Sequence, residues 1–193
     1  MDMTYFNLLG HKNSKFTNYI ALACYMALKK SSSTIAIGAS VTESAANTFT
    51  ESRIDLQLNP LDNEVFVVTA VNLDLVEPDA LAGVNTAVNG SMSTTSLTAS
   101  GNLSQSQVLA VAKDAIRAAG FVDGGVAFSR TSMETPPADL DYIGIIATND
   151  FFLQITGLNN AVAKAMTAKI YGYRAKADAA TYAALVQSEV LSS

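Results

Sequence analysis

Few residues in this chain are of types that carry chemistry, and their spacing serves it poorly. One histidine and one cysteine occur in 193 residues, and tryptophan is absent. His11 stands beside Lys12 with no cysteine or carboxylate near it, so it lacks the partners a metal ligand needs. Cys24 falls within an apolar run, where a thiol behaves as a small hydrophobe. Serines and threonines are plentiful, but none has an evident base when the single histidine is His11. The stretch Gly120-Phe121-Val122-Asp123-Gly124-Gly125 is glycine-rich, yet it follows a predicted helix instead of opening one, and no lysine follows it. It therefore reads as a turn and not as a phosphate loop.

The carboxylates do not organise either. Glu134, Asp139 and Asp141 straddle Pro136-Pro137 without the regular ligand pattern of a calcium loop, and read as solvated loop residues. Asp74, Glu77 and Asp79 flank Pro78 with no identifiable acid or base partner. Lys164, Lys169, Arg174 and Lys176 form the one local concentration of cations, with Tyr171 and Tyr173 interleaved. On a strand Lys169, Tyr171 and Tyr173 share a face, so with Arg174 they are the candidate contact for any enclosed nucleic acid. The plainer reading is a half-exposed strand whose tyrosines pack while its lysines stay wet. No catalytic residue, cofactor or metal ligand is expected, and no enzymatic activity.

Composition narrows the classes further. Twelve basic residues against seventeen acidic ones leave a net charge of −5, so direct nucleic-acid binding is not expected. Charged residues make up 15% of the chain, against roughly a quarter in an average soluble protein, while 49% is hydrophobic. Disorder is excluded. A chain with so few charges often covers its surface with copies of itself or with partners.

The elements follow from periodicity. Phe16, Tyr19, Ile20, Ala23 and Ala27 recur at helical spacing and predict a helix over 14–30, with Lys29 and Lys30 at its C-terminal end. The run Phe16 to Leu28 is shorter than the roughly 20 residues that cross a bilayer, and its lysines follow it, whereas a signal peptide carries them first. Ser31 to Ser33 reads as a hinge, which places an arm at 1–33 and the main domain at 34–193. There the period changes to two: Arg53 to Leu58 alternates cleanly, and Glu64 to Leu75 begins apolar on both faces before alternating. Further strands are predicted near 84–98 and 125–133, at Tyr142–Ala147 and Phe151–Thr156 as a tight pair, and at Ala165–Ala175. A helical insertion is predicted near 104–119, from the capping-box spacing Ser104–Gln107 and the stripe Val108, Ala112, Ala115, Ile116 and Ala119. Asp178 can cap a last helix carrying Tyr182, Leu185 and Val186.

The segments ESRIDLQLNP (51–60) and NEVFVVTAVNLDLVEP (63–78), then YIGIIATNDFFLQITGLNN (142–160) and AMTAKIYGYRAKADAATYAAL (165–185), together resemble the single jelly-roll coat proteins of small icosahedral viruses. The first two look like the opening strands of such a subunit, and the last two like its late hairpin, closing strand and short helix. The sequence departs from that pattern in the 104–119 segment and in an N-terminal arm that is apolar where many coat proteins are basic. The expected fold is thus a mainly β, antiparallel sandwich of the single jelly-roll kind with N-terminal, mid-chain and C-terminal helices. The resemblance implies a virion structural protein, a capsid subunit that self-assembles through sandwich flanks and its arm. Its partners would be copies of itself, other virion structural proteins and an underlying membrane or lipid. Phe16, Tyr19, Ile20, Ala23 and Leu28 are the expected assembly contacts. A filament subunit of pilus-like plan and a carbohydrate-binding sandwich remain as alternatives.

Overall fold

Antiparallel strands dominate the computed structural model of the chain, which describes residues 28–119, 128–133 and 140–191. Among these residues the chain forms β1 (Leu28–Lys30), β2 (Ile35–Thr42), β3 (Thr50–Asp55), β4 (Glu64–Leu75), β5 (Thr86–Ser93), β6 (Val108–Arg117), β7 (Phe128–Met133), β8 (Gly144–Ile146), β9 (Asp150–Leu158), β10 (Ala165–Ala177) and one α-helix, α1 (Ala179–Leu191). Two five-stranded sheets face each other as a sandwich. In the first, β10 pairs with β1 and β2 on one side and β4 on the other, and β4 pairs with β8. The second runs β3-β9-β5-β6-β7.

The main core lies between the sheets, where Phe66, Val68, Met92, Phe151, Leu153, Ile155, Met166 and Ile170 are almost wholly buried. A smaller cluster sits on the outer face of the first sheet. There Val65, Val67, Ala147, Ala175 and Ala177 pack with Leu28, Ile145, Tyr173 and the α1 residues Tyr182, Leu185 and Val186. This explains why β4 begins apolar on both faces: Phe66 and Val68 point into the sandwich, Val65 and Val67 towards α1. A bulge then changes the parity, since Tyr171 pairs with Ala70 but Gly172 with Val68. Past it, Val71, Leu73 and Leu75 take the inner side and Asn72 and Asp74 the outer.

Several expectations are corrected. The mid-chain helix does not form; Val108–Arg117 is strand β6, paired with β5 and β7. Its alanines at 110, 112 and 115 are buried, and two flanking ladders outweigh the helix propensity of an alanine-rich segment. The capping box exists but two residues earlier: Asn102 Oδ1 accepts from the Ser104 N–H at 3.0 Å and Gln105 Oε1 from the Asn102 N–H at 2.9 Å. It caps a single turn that leads into β6.

Tyr142–Ala147 and Phe151–Thr156 are not a hairpin either. β8 pairs with β4 and β9 with β3 and β5, so residues 147–149 carry the chain from one sheet to the other. β3 and β4 likewise lie in different sheets. Leu28–Lys30 are a strand, which ends any helix before them; Phe16, Tyr19, Ile20, Ala23 and the rest of the predicted N-terminal helix lie outside the described residues. Ser31 and Ser32 interrupt one sheet edge formed by β1 and β2, where both donate their N–H to the Arg174 carbonyl. The C-terminal helix is as expected: Asp178 Oδ1 accepts from the Thr181 N–H at 2.8 Å and caps α1.

Candidate functional site

β10 carries the residues singled out for nucleic acid, and the pleat separates them. Lys169 and Tyr171 lie exposed on the outer face of the first sheet. Tyr173 is on the same face but further along, half-buried in the cluster under α1, with the Lys30 ammonium 4.3 Å from its ring centre. Arg174 turns to the other side. Its guanidinium donates to the Leu56 carbonyl at 2.9 Å and the Gln57 carbonyl at 3.1 Å, and pairs with Glu64 at 3.0 Å. It thereby anchors the chain just beyond β3, where Gln57 adopts φ 51, a conformation that residues with a Cβ rarely take. Lys164 and Lys176 pair with Asp79 and Asp62. The cations clustered in sequence therefore do not form one patch; Lys169 and Tyr171 alone remain together in water. Leu28, expected to touch neighbouring subunits, packs within its own domain.

Three polar centres escaped sequence reading because their members are far apart along the chain. The first lies where the β2–β3, β4–β5 and β9–β10 connections meet. Glu43 accepts from the N–H groups of Gly157 and Lys164 at 2.6 and 2.9 Å, and buried Lys164 donates to Asp79. Asp79 also accepts from the Ala161 N–H at 2.8 Å, while Asn160 joins Asn47, Ala87 and Asp79. The Lys164 ammonium, with that N–H, holds the Asp79 carboxyl below the ordinary carboxylate range.

The second lies on the outer face of the second sheet. Buried Gln154 donates to Ser93 and Glu51 and accepts from Ser91, while Glu51 accepts from Leu97 and Ser96 and Ser91 from Gly101. The serine- and threonine-rich stretch is thus a strand and a return loop fastened over it. In the third, Glu189 is the only charged residue of α1, and it points inward. Its carboxylate accepts from the N–H groups of Ala147 and Thr148 at 3.0 and 2.9 Å, at the corner between the sheets. Burial raises its carboxyl above the ordinary range despite those donors.

All three centres tie loops and corners together. Each carboxylate in them faces hydrogen-bond donors from its own chain. Among the described residues no three His, Cys, Asp or Glu side chains converge as a metal site would require. His11, Cys24, Glu134, Asp139 and the 120–125 glycine stretch lie outside the described residues. Comparison with protein-family models, curated proteins and solved structures gave no match.

Proposed function

We propose that the chain is a virion structural protein, a capsid subunit whose sandwich flanks and N-terminal arm join copies of itself and other virion structural proteins into a shell. The observation that carries this reading is the strand order. With β1 and β7 set aside, eight strands remain: the first pairs with the last (β2 with β10), the second with the seventh (β3 with β9), the third with the sixth (β4 with β8), and the middle two, β5 and β6, with each other. That is one long antiparallel ribbon folded back on itself. Rolling it up so that β10 meets β4 and β9 meets β5 produces the two interlocked sheets expected of a single jelly roll.

Jelly rolls serve capsids and also lectins, so the fold alone does not decide. A sugar site needs polar side chains with hydrogen bonds to spare beside an exposed aromatic face. The dense polar centres of this chain instead spend their hydrogen bonds internally. The low charge and the exposed apolar side chains, Leu61, Val76, Leu158, Val162, Val190 and Leu191 among them, suit a surface covered by neighbours. The apolar run from Phe16 supplies a second contact to another subunit, to another virion protein or to an underlying lipid layer.

Sedimentation velocity of the purified full chain tests the reading. A discrete fast species of many subunits is expected. A single slow species of monomer mass at all concentrations contradicts it.

A further inference from the structure

No described strand pairs with the free side of β2, and this edge differs from the others. The Glu43 N–H donates to the Lys164 carbonyl at 2.9 Å, and alternation along the ladder with β10 then turns the N–H and C=O groups of Ala36, Gly38, Ser40 and Thr42 outward. The side chains of these four residues are small and exposed, and a Cβ on Gly38 would meet nothing within 4 Å. The inward row is progressively uncovered, from Val41 at 4% exposed to Ile35 at 36%. Among the described residues, the core of the sandwich is open at the Ile35 end of this side.

Charge singles the edge out further. Ile35–Thr42 contains no charged residue and no proline, so it lacks the usual devices that prevent a strand from joining another. β3 carries Glu51, Arg53 and Asp55, β7 contains Arg130, and β8 is only three residues long. An antiparallel pair of identical strands is two-fold symmetric, so charges near its centre meet their like. Self-pairing of β3 about Arg53 would oppose the two arginines and set Glu51 against Asp55. β2 meets no such repulsion in any register, which fits its edge to a second copy of the same edge.

We propose that two copies of this chain associate through β2, their edges paired antiparallel across a two-fold axis so that the first sheets of both subunits continue as one. Outward N–H and C=O groups from Ala36 to Thr42 make the ladder, and Ile35 and Ile37 of each copy close the open side of the other's core. The inference rests on the reading of the chain as a self-assembling subunit and names its pairwise contact.

The test uses the full-length chain and a double variant, Ala36→Lys with Ser40→Lys. Both positions are exposed, so the fold tolerates the change, and pairing about Gly38 would set lysine against lysine. Thr167→Lys, on the exposed face one strand in from the edge, is the control. Association measured by sedimentation over a dilution series should weaken at least about tenfold in the double variant, whose dilute monomer should melt at the temperature of the parent monomer, and stay unchanged in the control. Hydrogen exchange should show the amides of Ala36, Gly38 and Ser40 protected in the associated species and open on dilution. Unchanged association of the double variant, or protection that persists in the dilute monomer, would overturn the inference. Pairs that never close into shells leave the inference standing and sink the capsid reading. Shells that the double variant builds as well as the parent chain do the reverse.

Discussion

Arg174, Gln57 and Asp55 make one local device beyond β3. The Asp55 carboxylate accepts from the Gln57 N–H at 2.8 Å and Arg174 donates to the two carbonyls that follow Asp55, so a left-handed residue is held from both sides. Arg174→Leu should therefore lower stability by about 1 to 3 kcal/mol, read from the urea midpoint, because three acceptors lose a charged donor. An unchanged midpoint would mean that Arg174 is free for another task, such as contact with nucleic acid. Gly172 is equally constrained: a Cβ there would lie 2.4 Å from the Val67 carbonyl oxygen, beside the bulge. Gly172→Ala should destabilise by about 1 to 3 kcal/mol, while Gly38→Ala, in open space, should change the melting temperature little.

Two carboxyls set opposite pH trends. Burial raises Glu189, so the folded chain holds that proton more tightly than the unfolded chain does. Its contribution favours the fold at acid pH and is lost as pH rises through the raised folded value. Lys164 lowers Asp79, whose contribution is present above the ordinary carboxylate range and lost as pH falls through the lowered folded value. Urea midpoints against pH should show Glu189→Gln flattening the decline on the neutral side and leaving the acid limb in place. A curve identical to that of the parent chain would show that the carboxylate at the sheet corner does not titrate with folding.

At the scale of elements, legibility followed the reach of each signal. The strands of β4 and β10, the β5 segment and the Asp178 cap were readable because period-two alternation and a cap are local patterns. Leu56, Leu58, Leu73, Leu153, Ile155 and Ile170 lie in the core between the sheets, with Ile54 and Val71 packed against them. Val65, Val67 and Ile145 instead sit under α1, because nothing local announces the bulge at Thr69 or the helix that returns to cover that face. For β6 the local signals conflict: Val108, Ala110 and Ala112 alternate as in a strand, while Val108, Ala112, Ala115 and Ile116 fit a helical stripe, and pairing with β5 and β7 decides between them. Of the β10 residues, the shared face of Lys169, Tyr171 and Tyr173 is legible in the alternation, but the tyrosines divide: Tyr173 packs and Tyr171 is exposed. The internal duty of Arg174 depends on carbonyls more than a hundred residues away. Ile155→Ala, at the fully buried centre of β9, should cost about 2 to 5 kcal/mol in denaturant unfolding, whereas a loss under about 1 kcal/mol would place β9 outside the core.

At the scale of the whole molecule, the described residues cover the outer face of the first sheet at the α1 end and leave it open at the other, where Lys169 and Tyr171 lie beside the β2 edge. A sandwich with one neutral open edge and few surface charges is suited to close with its own copies, since symmetric association removes an edge that a monomer must otherwise defend. Because β1 belongs to the sheet, the arm whose removal tests assembly is 1–27 and not the whole of 1–33. Its deletion should leave a domain with the parent's circular dichroism that no longer forms large particles, and particles of unchanged size and yield would remove the arm from assembly. Electron microscopy of the purified chain tests most directly whether it builds a closed shell. Closed particles of uniform diameter are the predicted result, and a field of dispersed monomers or of open fibres would contradict it.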